Sequence, residues 1–78
     1  EIEWFATTRD LCTAMNWLRV RSESADGEPI LRILGVNKGV DVSETAWKVV
    51  GYKGGSETGV LNMTYLLQRA GGRWFALS

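Results

Sequence analysis

The sequence predicts an α+β fold, in which two helices pack on a three-stranded antiparallel β-meander. Apolar residues recur at helical spacing in the first half of the chain, whereas apolar and polar residues alternate from about Thr45 onward. Glycine-containing turns separate the alternating segments, as they do between consecutive antiparallel strands. Because a sheet must bury one face, the helices are expected to cover it. We therefore predict a single domain over residues 1–78, with a helical part at about 7–35 and the meander at about 45–78.

Composition and charge restrict the classes of function that need to be considered. Of the 78 residues, 45% are hydrophobic and 23% are charged, which is the composition of a folded domain with a small core. Nine basic and nine acidic residues cancel, so we expect no nucleic-acid partner. No apolar run is long enough to predict membrane insertion. With no histidine and a single cysteine, Cys12, we predict no metal and no cofactor, and a buried apolar role for Cys12.

The first helix is predicted at about residues 8–20. Thr7 or Thr8 is the predicted N-cap, and Thr7 precedes Asp10 by three residues, which is the spacing of a capping box with an acid in the first turn. An apolar face follows at positions i, i+4 and i+7, formed by Leu11, Met15 and Leu18. This face should pack against the sheet.

A linker, a second short helix and a loop are predicted next. SESADGEP at residues 22–29 has the composition of a turn, and Pro29 is suited to the first position of a helix that Gly35 ends. Residues 35–44 are predicted to form an ordered surface loop.

Three strands are predicted from the alternation in the second half. Trp47, Val49 and Gly51 should share one face of the first strand, which is expected to end at Lys53. The predicted segments that follow are a turn at 54–59, a strand at 60–68, a turn at 69–72 and a strand at 73–78.

The segment KGGSE carries the clearest candidate chemistry. Lys53 supplies an ammonium group, while Gly54 and Gly55 lack a Cβ and so allow a ligand to approach the backbone closely. Exposed backbone N–H groups, above all that of Ser56, can donate to a developing oxyanion. The same residues also suit a solvated hairpin turn, and their spacing alone favours that simpler interpretation.

The segment resembles a known family of enzymes. GYKGGSETGVLNMTYLL, followed by a Gly-Gly turn and RWFALS, resembles the C-terminal β-region of serine β-lactamase-like hydrolases, in the penicillin-recognising superfamily that includes the class A β-lactamases. Upstream, FATTRDLCTAMNWL resembles the helix that follows the omega loop of that family. The resemblance spans residues from about 4 to 78 and is strongest at 51–67.

The resemblance implies a substrate-binding role for four residues. In that family a Lys-Thr/Ser-Gly triplet ends an edge strand beside the active site. By this resemblance Lys53 would attract a substrate carboxylate, and Ser56 would supply one N–H of the oxyanion hole. Gly54 takes the place of the usual hydroxyl residue, which makes ordinary penicillin specificity doubtful, and Gly55 would keep the close backbone approach.

The central catalytic motif of the family is absent from these residues. No serine in the sequence has a lysine three residues later, and there is no Ser-Asp-Asn motif. We therefore expect no catalytic residue in this chain. The resulting hypothesis is a C-terminal fragment of a hydrolase, inactive without an N-terminal portion, and periplasmic or secreted if it follows the family.

Two alternatives stay open beside the hydrolase fragment. One is a non-catalytic carboxylate binder that uses Lys53 and Ser56. The other is a stand-alone module that self-associates, because the third predicted strand would be an exposed edge carrying Trp74, Phe75 and Leu77. We accordingly expect a homo-oligomer, formed through this strand or the sheet face. The aromatic residues in general are predicted to form core.

Overall fold

The computed structural model describes residues 5–41 and 45–78 and confirms the α+β class. The elements are α1 (Thr8–Ser22), α2 (Glu28–Leu34), β1 (Trp47–Glu57), β2 (Val60–Arg69) and β3 (Trp74–Leu77). The strands form one antiparallel sheet in the order β1-β2-β3, which is the predicted meander. The predictions for the first four residues and for the end of the loop at 42–44 lie outside the described residues.

α1 begins with the predicted capping box. The Thr7 hydroxyl accepts a hydrogen bond from the Asp10 backbone N–H at 3.0 Å, and the Asp10 carboxylate accepts one from the Thr7 N–H at 2.9 Å. These two bonds satisfy N–H groups that the first turn of a helix leaves without partners. Met15, in the middle of the predicted apolar face, is only 3% exposed. The helix continues to Ser22, two residues past the predicted end.

The corner between the two helices is tightly packed. Gly27 is the N-cap of α2, and Pro29 lies in its first turn, one position later than predicted. Gly27 is buried, and a Cβ at this position would lie only 2.7 Å from the backbone carbonyl carbon of Arg21. A residue with a side chain does not fit here unless the backbone moves.

The two helices pack on one face of the sheet, which we call the helix face. The register opposes Gly51 to Leu66 and Lys53 to Thr64, and paired residues in an antiparallel sheet lie on the same face. Leu66 is 1% exposed and Thr64 is 3% exposed beneath α1. At the other end of the sheet, the guanidinium of Arg19 lies 5.9 Å from the ring centre of Trp74 on β3.

A loop covers part of the opposite face, which we call the loop face. Val50, Tyr65 and Leu67 form a buried cluster there, and Trp47, Tyr52 and Met63 pack against it. The Tyr65 hydroxyl donates to the Lys38 carbonyl at 2.9 Å and accepts from the Val40 N–H at 3.2 Å. The segment that follows α2 is thereby held against the sheet.

The prediction for the face of Trp47 was wrong. The β1–β2 register shifts between Trp47 and Val49, so a β-bulge at this end of β1 interrupts the alternation. Trp47 therefore packs against the buried cluster of the loop face. Its ring makes an edge contact with the ring of Phe75, and the two ring centres are 6.0 Å apart. The sequence pattern does not reveal this shift, because a bulge is set by the pairing with the neighbouring strand.

The predicted turn at 54–59 was also wrong, and β1 does not end at Lys53. Gly54, Gly55 and Ser56 continue the strand and pair with Met63, Asn62 and Leu61. The chain reverses at Thr58 and Gly59, and Gly59 adopts a positive φ of 79°. The glycines of KGG thus lie in a strand that a long partner strand stabilises, although glycine alone favours turns.

The burial of some other side chains differs from the sequence predictions. Cys12 is a free thiol and is only half-buried, rather than fully buried as predicted. Trp17 is 62% exposed, so the prediction that the aromatic residues form core fails there, whereas it holds for Tyr65. Among residues 5–41 and 45–78, no helix is long and apolar enough to cross a membrane.

Candidate ligand-binding edge

The segment from Tyr52 to Ser56 lies on an outer strand of the sheet formed by the described residues. β1 pairs with β2 on one side only, and the two strands join through a two-residue turn. Along an antiparallel ladder, pairs of residues whose backbones hydrogen-bond to each other alternate with pairs that do not. Glu57 and Val60 close the two-residue turn and form a hydrogen-bonded pair, so the next pair, Ser56 and Leu61, is not hydrogen-bonded. The backbone N–H of Ser56 therefore points away from β2, as does that of Gly54.

A cleft of about 650 Å³ runs along this edge. All four residues predicted for the site, Lys53, Gly54, Gly55 and Ser56, line it. The remaining lining residues come from the end of α2, the loop after it, and the two strands: Ile33, Val36, Asn37, Tyr52 and Leu61. The volume is in the range of small-molecule sites. This second group was not predicted from the sequence, since no residue pattern indicates which part of the sheet α2 and the loop after it approach.

Lys53 has no acidic partner in the described part of the chain. Its Nζ donates a hydrogen bond to the carbonyl oxygen of Gly54 at 2.6 Å, and the residue is exposed. The described ion pairs join Arg19 to Glu23, the C-cap residue of α1, and Arg32 to Glu28 within α2, so neither involves Lys53. An incoming anion would replace only one exposed hydrogen bond, so the ammonium group is available to it.

The two glycines differ in the space around them. A Cβ on Gly54 would overlap the hydroxyl of Tyr52 and lie 2.8 Å from its Cζ, so this ring occupies the volume that a side chain would need. A Cβ on Gly55 would meet no atom within 4 Å. The Thr or Ser that the resembled family has at the position of Gly54 would therefore not fit unless Tyr52 moved. Glycine at this position therefore fits the Tyr52 ring as it is placed.

A second cavity of about 370 Å³ lies between α1 and the helix face, beside the same segment. It shares Lys53, Gly54 and Gly55 with the cleft, and Asn62 and Thr64 complete its strand side. The apolar part of its lining comes from the two helices: Leu11, Ala14, Met15, Leu18 and Leu34. The strand segment Lys53 to Gly55 is thus the wall between the cleft and this apolar cavity.

The two uncharged polar side chains on the strand side of the apolar cavity, Asn62 and Thr64, hydrogen-bond to each other and to Ser78. The Thr64 hydroxyl lies 2.9 Å from both the Asn62 side-chain oxygen and the Ser78 hydroxyl, and the Asn62 amide donates to the Ser78 hydroxyl at 3.3 Å. No buried side-chain nitrogen or oxygen in the described residues lacks a hydrogen-bond partner. The cavity therefore presents an apolar surface to a ligand.

Among residues 5–41 and 45–78, the cleft supplies binding groups, and its described hydrogen bonds join no nucleophile to a base. An ammonium group and outward N–H donors can bind a carboxylate and polarise a carbonyl oxygen. The sequence offers no histidine and no Ser-x-x-Lys to activate a serine. Within the described residues, no group of three or more side chains is placed to bind a metal.

Comparisons of the chain with protein-family models, with curated proteins and with solved structures gave no significant match. The resemblance to serine β-lactamase-like hydrolases therefore stays a prediction from the sequence.

Proposed function

We propose that this chain is the C-terminal portion of a serine β-lactamase-like hydrolase and forms one wall of its active site. The observation that supports this most is the cleft along the outer edge of β1, where Lys53 has no acidic partner among residues 5–41 and 45–78 and the Ser56 N–H points away from β2. In this proposal Lys53 binds a substrate carboxylate. The Ser56 N–H donates to the substrate carbonyl oxygen as negative charge develops on it.

The nucleophile of the proposed enzyme would come from residues outside these 78. The family logic requires a serine activated by a lysine or another base, and the present sequence lacks the Ser-x-x-Lys motif. The chain by itself is then expected to bind a carboxylate ligand without turning it over. A binder that never performs catalysis would behave in the same way. The gene sequence upstream of Glu1 distinguishes the hydrolase from the non-catalytic binder. Only the hydrolase requires a Ser-x-x-Lys motif, either there or on a partner chain.

We expect Lys53→Met to weaken binding of benzylpenicillin about fivefold, which corresponds to ~1 kcal/mol for one exposed charge pair. Benzylpenicillin serves only as a probe that combines a carboxylate with an amide carbonyl, since Gly54 in place of the usual hydroxyl residue argues against penicillin as the natural substrate. The measurement is an NMR titration of the ¹⁵N-labelled chain. In the unmodified chain, the amide signals of Gly54, Gly55 and Ser56 should shift.

Lys48→Met is the matched control for this titration. Lys48 is an exposed lysine on the same strand, and it does not line the cleft. It should leave the affinity unchanged. Equal weakening by both substitutions would mean that the ligand responds only to net charge and would contradict a specific role of Lys53. Hydrolysis of the probe by the isolated chain would contradict the proposal that the chain is not catalytic alone.

Self-association through β3 is a second candidate function, and the exposure of this strand supports it. β3 is the outer strand of the described sheet on the side opposite β1. Phe75 is 40% exposed and Leu77 is 60% exposed on the loop face. An apolar outer strand is a template for pairing with another chain. The corresponding assembly is a homodimer in which the β3 strands of two copies pair.

We expect the chain at ~100 µM to have twice its 8.7 kDa mass by light scattering, because edge pairing of this kind should be populated at this concentration. Leu77→Lys should give a monomer, because charged residues on an edge strand oppose pairing. Leu61→Lys, at a residue that is 75% exposed on the β1–β2 hairpin, should leave the dimer intact. A monomeric mass for the unmodified chain would overturn the proposal, and loss of the dimer in both variants would place the contact on the sheet face instead.

A further inference from the structure

We infer that the apolar cavity between α1 and the sheet receives the hydrophobic part of a ligand whose carboxylate binds Lys53. The ligand class is thus an amphiphilic carboxylic acid with an alkyl or aryl body. The inference rests on the proposed function only in using Lys53 as the anion-binding group. It adds a site for the rest of the ligand.

The surface of the cavity is suited to a hydrophobic group. Side chains of both helices supply its apolar wall, and Met15 and Thr64 on opposite sides of it are each 3% exposed. The Thr64 hydroxyl is already bonded to Asn62 and Ser78. Water in such a space finds too few polar partners, whereas an apolar ligand gains contacts with the walls.

Lys53 connects the cavity to the anion-binding edge. Its pairing with Thr64 places its Cβ on the helix face, toward α1. Its Nζ reaches the carbonyl oxygen of Gly54. The aliphatic part of this side chain therefore borders the cavity, while the ammonium group lies at the cavity mouth. Gly55 adds no side chain that would obstruct this mouth, since even a Cβ there would meet nothing within 4 Å.

Charge selects the polar end of the ligand. Among the described residues, Lys53 is the only charged side chain that lines either the cleft or the cavity. A neutral or cationic amphiphile would gain the apolar contacts but would leave the ammonium group without an anion. A carboxylate satisfies both requirements in one small molecule.

The experiment is an NMR titration of the ¹⁵N-labelled chain with hexanoate, octanoate and decanoate below their micellar concentrations. We expect the Kd to fall about threefold to fourfold per added methylene until the cavity is filled. Signals of Ala14 and Leu18 should shift together with those of Lys53 and Gly55. Octanol should bind more weakly than octanoate, and Lys53→Met should remove this difference.

Ala14→Phe tests the cavity itself, because the larger ring would occupy it. We expect this variant to lose the dependence of Kd on chain length. Thr13→Phe should keep it, because Thr13 is exposed like Ala14 but does not line the cavity. Circular dichroism confirms that both variants are folded. A Kd that is independent of chain length in the unmodified chain, or shifts confined to Leu61 and Leu77, would overturn the inference. If benzylpenicillin nevertheless perturbs Gly54 to Ser56, the proposed function stands and only the cavity assignment fails.

Discussion

Replacing Gly27 with alanine is expected to destabilise the chain by about 2–3 kcal/mol, the upper range for forced overpacking. A Cβ at this position would overlap the carbonyl oxygen of Arg21 and lie 2.7 Å from the Cα of Ser22. These are backbone atoms at the end of α1, so no change of rotamer relieves the overlap. The corner between the helices would have to open, which would withdraw α1 or α2 from the sheet.

Urea denaturation followed by circular dichroism measures this effect. A domain of this size has a small free energy of unfolding. In a thermal melt, the expected loss of stability lowers Tm by roughly 10–20 °C. Gly71→Ala is the matched control, because a Cβ there would meet no atom within 4 Å and its φ is not positive. An unchanged unfolding midpoint in Gly27→Ala would contradict the tight packing of the corner between the helices.

Alanine substitutions at the adjacent residues Gly54 and Gly55 should have different effects on the free energy of unfolding. Gly54→Ala is expected to cost about 1–3 kcal/mol, because the new methyl group displaces the Tyr52 ring. This ring has little room to move, since its centre lies 5.0 Å from that of Tyr65 and Gly39 approaches it from the loop. Gly55→Ala should be neutral or stabilise by about 0.5–1 kcal/mol, because alanine restricts the unfolded chain and fits the strand.

The two variants are compared by their free energies of unfolding under identical conditions. They differ by one position in the same strand, so differences in strand propensity largely cancel. Equal destabilisation by both would show that the strand, rather than the Tyr52 contact, determines the need for glycine. A Gly54→Ala protein of unchanged stability would remove the steric reason for the departure from the Lys-Thr/Ser-Gly pattern.

Local rules predicted the features of this fold that depend on neighbouring residues in the chain. The capping box at Thr7 and Asp10 and the apolar face around Met15 involve contacts within about one or two helical turns, so the sequence pattern contains them. The meander was predictable for a similar reason, since short glycine-containing turns leave consecutive strands little choice but to pair.

Features that depend on pairing or on the position of a helix were not predictable in the same way. The bulge after Trp47 and the continuation of β1 through Gly54 both follow from the match with β2. The four predicted site residues do lie together along one cleft. The opposite wall of the cleft, at Asn37, depends instead on where the loop packs on the sheet. The apolar cavity depends on the distance between α1 and the sheet, and no residue pattern specifies either placement.

The unequal lengths of the strands have a consequence for the local stability of the site. β3 pairs only with Tyr65 to Gln68, so the sheet has three strands at that end and two strands where Lys53 to Ser56 lie. A two-stranded ribbon is only marginally stable in water, and its amide hydrogens exchange through openings that leave the rest of the fold intact. The proposed binding edge thus lies in the part of the sheet that we expect to open at a low free-energy cost, and a ligand bridging the ribbon and α1 would raise that cost.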